Sequence, residues 1–367
     1  MTASASSAAD STPTTEETDT ANDTISVLLR GMTLEEKVGQ LFFARCPETD
    51  VEMQIQTLHP AGFVLFARDF EEQTKDSVRE TIASYQQGSE IPLLIGVDEE
   101  GGTVVRVSKY QAFRRWAFQS PQELYNEGGM DAFVYDTAEK DKLLQDLGIN
   151  VNLSPVCDVS TNQDDYMYKR ALGQDAQATA DYVRTTVRQM TQDNMGAVLK
   201  HFPGYGPNEN THDRIATDSR SLETYQMQDF LPFEAGMQAG AGAVLVSHLI
   251  VESMDADAPA SLSAKVHEIL RDNLHFTGVA MTDDLEMDAI RQFAGDVDAA
   301  VLAVQAGNDL IISSDFETQY HAVLTAVQNG TLTETQINEH VRRVLEWKKS
   351  LGLLDSYDNA PNEDEMT

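Results

Sequence analysis

Gly196-Ala197-Val198-Leu199-Lys200-His201-Phe202-Pro203-Gly204-Tyr205-Gly206 is the stretch from which both fold and chemistry can be read. Its first four residues make a short buried strand. The strand then ends in a cation, an imidazole and a glycine-rich turn. Packing alone has no need of such an ending, which suits polar groups held at a rigid rim. Further along, Thr277-Gly278-Val279-Ala280-Met281 closes on Thr282-Asp283-Asp284 and sets carboxylates where the first segment sets basic groups.

Apolar segments of this form recur at 38–44, 62–66, 92–97, 151–156, 196–199, 242–246, 278–281 and 309–312. Most are continuous rather than alternating, as expected for parallel strands covered on both faces. Helical patterns at 73–85, 178–194, 222–238, 264–274, 297–306 and 316–327 separate many of them. A last helix opens at Thr333 and runs to about residue 350, with Ile337, Val341, Val344 and Leu345 on one face and Gly352 as a stop. Ser263 is placed to cap the helix that starts at Ala264. Eight strands alternating with helices predict an α/β chain folded as a single-domain (β/α)8 TIM-type barrel over residues 24–357. The longest insertion, between Val97 and Val151, carries Trp116, Tyr125 and Phe133 and is expected to pack against the body.

The 367 residues include 60 Asp and Glu against 26 Lys and Arg, a formal net charge of −34. Such a chain repels nucleic acid and anionic membranes at long range. The acids are scattered, so solvation is their first reading. Cys46 and Cys157 read as buried thiols, with neither a disulfide framework nor a metal spacing. No apolar run reaches membrane-spanning length. Residues 1–23 are an acidic Ser/Thr-rich stretch expected to be disordered, and 358–367 a polar tail. The leader suits a tether behind a removed export signal or lipid anchor, and equally a plain acidic tail. An extracytoplasmic or cell-surface location is slightly favoured over a cytoplasmic one. No coiled-coil pattern or apolar strip calls for a second subunit, so a monomer is expected.

On a barrel, the residues after the strands share the rim where active sites are built. Here they are Arg68; Asp98-Glu99-Glu100-Gly101-Gly102 with Arg106; Cys157-Asp158 with Lys169-Arg170; and Lys200-His201 with Asn210, Thr211 and His212. Ser247-His248 and Asp283-Asp284 complete the set. Singly, each has a plain structural reading. Asp98 and Asp284 could cap helices, Arg106 and Arg170 could make surface ion pairs, and His201 and, more so, His248 could be buried and hydrogen-bonded. Gly101-Gly102 reads as a tight turn and lacks the spacing of a phosphate loop. Together they suit a neutral, hydroxyl-dense ligand such as a sugar. A metal is disfavoured because no ligand spacing is present, and the chemistry needs no cofactor. Glycoside cleavage with retention needs a carboxylate nucleophile and a separate proton donor. Asp283 is the candidate nucleophile and His212 the donor, with Glu209 as the carboxylate alternative.

The chain resembles the family 3 glycoside hydrolases, and more closely their single-domain β-N-acetylhexosaminidase branch of the peptidoglycan-recycling type. The resemblance runs from Met32-Thr33-Leu34-Glu35-Glu36-Lys37-Val38-Gly39-Gln40 to the last helix. It includes Val97-Asp98-Glu99-Glu100-Gly101-Gly102, Ser154-Pro155-Val156-Cys157-Asp158-Val159, the Lys200–Gly206 run, Pro259-Ala260-Ser261-Leu262-Ser263, Thr282-Asp283-Asp284-Leu285-Glu286-Met287 and Ala306-Gly307-Asn308-Asp309. It implies a covalent glycosyl-enzyme on Asp283 and a terminal sugar bound by Asp98, Arg106, Arg170, Lys200 and His201, with His212 as acid/base. It further implies N-acetylglucosamine linked to N-acetylmuramic acid or its anhydro form, sometimes with peptide, as substrate.

Three positions depart from the family pattern. Asn210 stands where an aspartate pairs with the acid/base histidine. Glu99 and Thr103 replace a glutamine and an arginine, which is expected to alter the charge of the sugar site. Ala171-Leu172-Gly173 replaces Ser-Phe-Gly. Alternatives that stay open at this level are a silent sugar-binding protein of the same fold, a β-glucosidase and a glycoside phosphorylase.

Overall fold

The structure, a computed structural model, describes residues 23–208, 215–295 and 298–358. Residues 1–22 of the leader, 359–367 of the tail, and Glu209, Asn210, His212 and Asp213 lie outside them.

The strands are β1 (Phe42–Arg45), β2 (Gly62–Leu65), β3 (Leu94–Val97), β4 (Val151–Asn152), β5 (Gly196–Phe202), β6 (Thr217–Asp218), β7 (Ala243–Val246), β8 (Ile250–Val251), β9 (Val279–Thr282) and β10 (Ile311–Ser313). Eight of them form one parallel sheet in the order β10-β1-β2-β3-β4-β5-β7-β9. The ring closes between β9 and β10 through a single parallel bridge, Met281 with Leu310. Asp309 holds this seam. Its backbone N–H donates to Ala280 O at 2.7 Å, and its Oδ2 accepts from Ala280 N at 2.8 Å. Arg271, His340 and Arg343 surround the same buried carboxylate at 2.6, 2.8 and 2.9 Å. The expected TIM-type barrel is therefore present.

Side chains alternate along each strand, so one phase faces the lumen and the other the helices. Phe43, Val64, Leu94, Val151, Leu153, Val198, Ala243, Leu245, Val279, Met281, Leu310 and Ile312 pack together as the inner core. Val344 and Trp347, on the helix Glu334–Ser350, join this cluster and plug one end. Gly96 is an inner position without a side chain. A Cβ there would meet the Phe43 ring at 2.4 Å, so this glycine makes room for that ring. Followed to the C-terminal ends of the strands and just beyond, the inner phase reaches Asp98 after Leu94 and Gly96, Lys200 after Val198, and Asp283 after Val279 and Met281.

Several expectations are corrected. Val38 and Gly39 belong to a helix, Leu34–Gly39, not to the first strand. Thr33 and Glu36 close a reciprocal capping box that outweighs the apolar run. The fourth strand's ladder stops at Asn152 and resumes as a single bridge from Val156 to Lys200, because Pro155 between them has no N–H for a ladder. The helical stretches beginning at Leu222 and Ala264 each widen into a π-type turn, at Tyr225–Asp229 and Ile269–Asn273. The insertion holds a long helix, Pro121–Asp146, broken at Gly129. Its Phe133 packs on Tyr182 at 4.6 Å between ring centres, as expected, but Trp116 stays exposed. The small parallel pair β6–β8, between Thr217–Asp218 and Ile250–Val251, is too short to be read from sequence. Ser263 does cap its helix, accepting from Val266 N at 3.3 Å.

Lys348, on the plugging helix, is fully buried and donates to Gln40 Oε1 at 2.7 Å. Burial pushes its ammonium pKa down to about 7. The unfolded chain therefore binds more protons than the folded one from about pH 7 up to the ordinary lysine value, and stability rises with pH across that window. Lys348→Met removes this titration. Chemical denaturation at pH 6.5 and pH 9.5 should show the variant gaining on the wild type at the lower pH, by about 3 kcal/mol. An equal difference at both pH values would show that Lys348 does not titrate in that range.

Candidate active site

The lumen opens at the C-terminal ends of the strands into a cavity of about 890 Å³. Asp98, Arg106, Arg170, Lys200, His201 and Asp283 all line it. These residues come from β3 and its loop, the loop after β4, the end of β5 and the end of β9. β3 and β9 are the third and seventh staves of an eight-stave ring, so Asp98 and Asp283 lie on opposite walls.

One wall is a network of charges. Lys200 Nζ donates to Asp98 Oδ1 at 2.7 Å and lies 2.6 Å from Glu100 Oε1. Arg170 grips Glu100 with both arms, Nε to Oε2 at 3.0 Å and Nη2 to Oε1 at 2.6 Å. Arg106 reaches Asp98 Oδ2 at 3.5 Å. Burial would raise the Glu100 carboxyl, but Lys200 and Arg170 outweigh it and hold the group well below the usual range. Burial alone would likewise lower the Arg170 guanidinium, and Glu100 reverses this and keeps it charged.

Register explains how Lys200 and His201 both reach the cavity. β5 carries one residue more than β7 between Lys200 and Phe202, a bulge that puts His201 beside Lys200 and returns Phe202 to the outer core. His201 Nε2 faces Arg170 Nη2 at 3.3 Å, and a guanidinium has only donors, so Nε2 accepts. Nδ1 therefore carries the proton and donates to Asp158 Oδ2 at 2.8 Å. The other oxygen of Asp158 accepts from Tyr205 N at 2.7 Å, which ties the start of the following loop to the same carboxylate. Beyond Tyr205, Arg220 bridges Asp218 and Asp229 at 2.8 and 2.9 Å and braces Gly204 O. His212 and Asn210 belong to the segment between these anchored ends.

On the opposite wall, Asp284 N donates to Asp283 Oδ1 at 2.8 Å and sets the rotation of that carboxylate. Asp284 itself accepts from Glu286 N at 3.0 Å and Ser314 N at 3.1 Å. His248 Nε2 donates to Asp284 O at 3.1 Å while its Nδ1 accepts from Ser261 Oγ at 2.7 Å. His248 and Asp284 therefore hold the Asp283 turn in place.

Two sequence expectations change here. Glu99 does not charge the cavity. Its carboxylate is buried in the loop and accepts from Arg106 N at 2.8 Å, Val107 N at 2.7 Å and Ser108 N at 3.2 Å, so it shapes the turn that presents Arg106. Thr103 does line the cavity. Arg68 leaves the group, pairing with Glu48 at 2.6 Å beside a separate cavity of about 400 Å³. Further lining residues without a role in the sequence reading include Arg45, Phe66 and Tyr166. The first two follow Phe43 and Val64 by two positions, so the inner phase would have found them. The guanidinium of Arg45 lies 4.6 Å from the Phe66 ring centre. Tyr166 sits on a loop with no such period.

Residues 33–347 match the glycosyl hydrolase family 3 N-terminal domain. The beta-hexosaminidase of Xylella fastidiosa (strain M23) is 31% identical over 293 residues, covering 78% of this chain and 86% of that protein. The beta-hexosaminidase of Xanthomonas oryzae pv. oryzae is 32% identical over 311 residues, 82% and 90% of the two chains. Among solved structures, the family 3 beta-N-acetylglucosaminidase from Paenibacillus sp. str. FPU-7 superposes with a TM-score of 0.81 at 30% identity, over 90% of this chain and 64% of that one. The beta-N-acetylhexosaminidase from Beutenbergia cavernae DSM 12333 does so with a TM-score of 0.77 at 25% identity, over 87% and 99%.

Glu100→Gln keeps the shape but leaves two buried cations without their shared counter-charge. The expected cost is about 3–5 kcal/mol of stability, measurable by denaturation, together with weakened sugar binding. A variant as stable as the wild type would show that Asp98 alone neutralises Lys200.

Proposed function

This chain belongs to glycosyl hydrolase family 3, and from that premise we propose that it is a retaining exo-β-N-acetylglucosaminidase acting on peptidoglycan-derived fragments. The observation that carries the reading is the placement of Asp283 across one cavity from Asp98, Lys200, Arg106, Arg170 and His201. The similarity to proteins named beta-hexosaminidase and beta-N-acetylglucosaminidase supports the N-acetyl sugar. The muramic acid aglycone rests on the sequence resemblance alone.

In this reading the terminal sugar lies against the charged wall. The Asp98 carboxylate accepts from neighbouring hydroxyls while Lys200 and Arg106 fix its orientation. Arg170, Lys200 and His201 hold the remaining oxygens. Asp283 attacks the anomeric carbon as the C–O bond to the aglycone breaks, and His212 gives its proton to the leaving oxygen. The neutral imidazole then takes a proton from water, whose oxygen attacks the same carbon and releases Asp283. Fixing the Asp283 carboxylate through the Asp284 N–H limits the motion needed for in-line attack.

The test is release of p-nitrophenol from its β-N-acetylglucosaminide and its β-glucoside. The N-acetyl substrate should be preferred, and Asp283→Ala should lower kcat by at least about 10³-fold. Turnover that survives in Asp283→Ala would remove Asp283 as nucleophile. Absence of turnover, with N-acetylglucosamine still bound, would turn the reading to a sugar-binding protein.

Asn210→Asp puts a carboxylate two positions before His212, where the family resemblance implies the partner of the acid/base histidine, and favours the protonated ring. The alkaline limb of kcat/KM should move up by about one pH unit, with faster cleavage of poor leaving groups. An unchanged pH profile would show that residue 210 does not govern the acid/base.

A further inference from the structure

We propose that the loop after β3, besides supplying Arg106 to the cavity, carries a surface platform for acidic glycan strands built on Arg115 and Trp116. The proposal rests on the reading of the chain as a glycan-cleaving enzyme.

The first support is charge. With 60 acids in 367 residues, an Asp or Glu recurs about every six positions, yet residues 101–122 contain none. The same stretch holds Arg106, Lys109, Arg114 and Arg115. Arg106 is opposed by Asp98, and Arg114 is paired with Glu139 at 3.0 Å. Lys109 and Arg115 are exposed and make no ion pair among the described residues. In a chain that repels anions at long range, this loop is a local exception at the rim of the site.

The second support is the aromatic surface. The chain has two tryptophans, and they are used in opposite ways. Trp347 is 4% exposed at the plugged end of the barrel, whereas Trp116 is 67% exposed. The Arg115 guanidinium lies 5.4 Å from the centre of the Trp116 indole. Tyr135, 79% exposed, stands one turn before Glu139, the partner of Arg114, on the neighbouring helix. Large exposed aromatics beside arginine mark binding surfaces rather than packing.

The third support is rigidity. Arg114 donates to the carbonyls of Trp116 and Ala117 while its other arm holds Glu139. Its guanidinium also lies 4.0 Å from the centre of the buried Phe118 ring. Phe118 N donates to Ser108 Oγ at 3.2 Å, and Phe118 O accepts from Gly102 N at 2.9 Å. The Trp116 backbone is thus tied to the frame that positions Arg106, and little ordering entropy remains to be lost on binding.

An indole face stacks on the C–H face of a pyranose, and the free cations meet carboxylates carried by the strand. A sparsely charged glycan meets less repulsion from the −34 chain than nucleic acid, which carries one charge per about 1.7 Å.

The test is affinity electrophoresis of the full chain through gels containing carboxymethyl chitin or neutral glycol chitin, with saturating N-acetylglucosamine to occupy the cavity. The wild type should be retarded by carboxymethyl chitin, less by glycol chitin, and less in high salt. The double variant Arg115→Ala/Trp116→Ala should bind carboxymethyl chitin at least fivefold more weakly while hydrolysing p-nitrophenyl β-N-acetylglucosaminide within twofold of wild type. Equal retardation of wild type and variant, or no retardation of the wild type, would overturn the platform. Concentration-dependent dimerisation lost in the variant, without polymer binding, would overturn it in favour of a self-contact. Retardation lost in the variant, from a chain that hydrolyses no glycoside, would leave the platform standing and remove the enzymatic reading instead.

Discussion

A carboxylate buried without compensation would not stay ionised, and the charged wall of this barrel's cavity is organised around one that does. Glu100 is shared by Lys200 and Arg170, and its charge is what lets two cations lie in a nearly dry wall. Lys200 is thereby set against Asp98, and Arg170 against His201. His201 then passes the constraint to Asp158 and, through Tyr205, to the start of the loop that carries His212. One buried ion cluster so joins the ends of β3 and β5 and the loop after β4 into a single unit, and its geometry follows from satisfying charge rather than from apolar packing.

The barrel beneath supplies the phase. Because alternate side chains enter the lumen, a short strand places one group at the rim with the accuracy of the sheet itself. Asp98, Lys200 and Asp283 are the positions at which the inner apolar series runs into polar residues. The seam between β9 and β10 is the weak place in such a ring, having a single bridge, and Asp309 reinforces it with backbone and side-chain bonds together. That reinforcement lies below Asp283 on the same strand, so the closing of the barrel and the placing of Asp283 share one element.

Charge is distributed on two scales. The surface as a whole is strongly acidic, whereas the cavity mixes both signs at close range and the loop after β3 is free of acids over residues 101–122. Long-range repulsion and short-range recognition can coexist because salt screens the first within roughly 10 Å, while the second acts at contact.

The alternation of continuous apolar segments with helices was sufficient to determine the barrel, since parallel strands buried on both faces have few other architectures. The rim residues were legible for the same reason: they stand at strand ends or in the loops that follow, and Asp98, Lys200 and Asp283 continue the inner phase. Three kinds of feature were decided only by the tertiary structure. Glu99 was read as a charge in the sugar site and proved to be a loop-builder, because the backbone donors that claim it are fixed only when the chain folds. Trp116 was read as packing and proved exposed, because Arg114 fastens its loop to a helix outside the core. The roles of Glu100 and of the His201 ring nitrogens depend on partners about 30 to 100 positions away. Local pattern determines which face a side chain takes, but a charge acquires its partner only when distant strands are brought side by side.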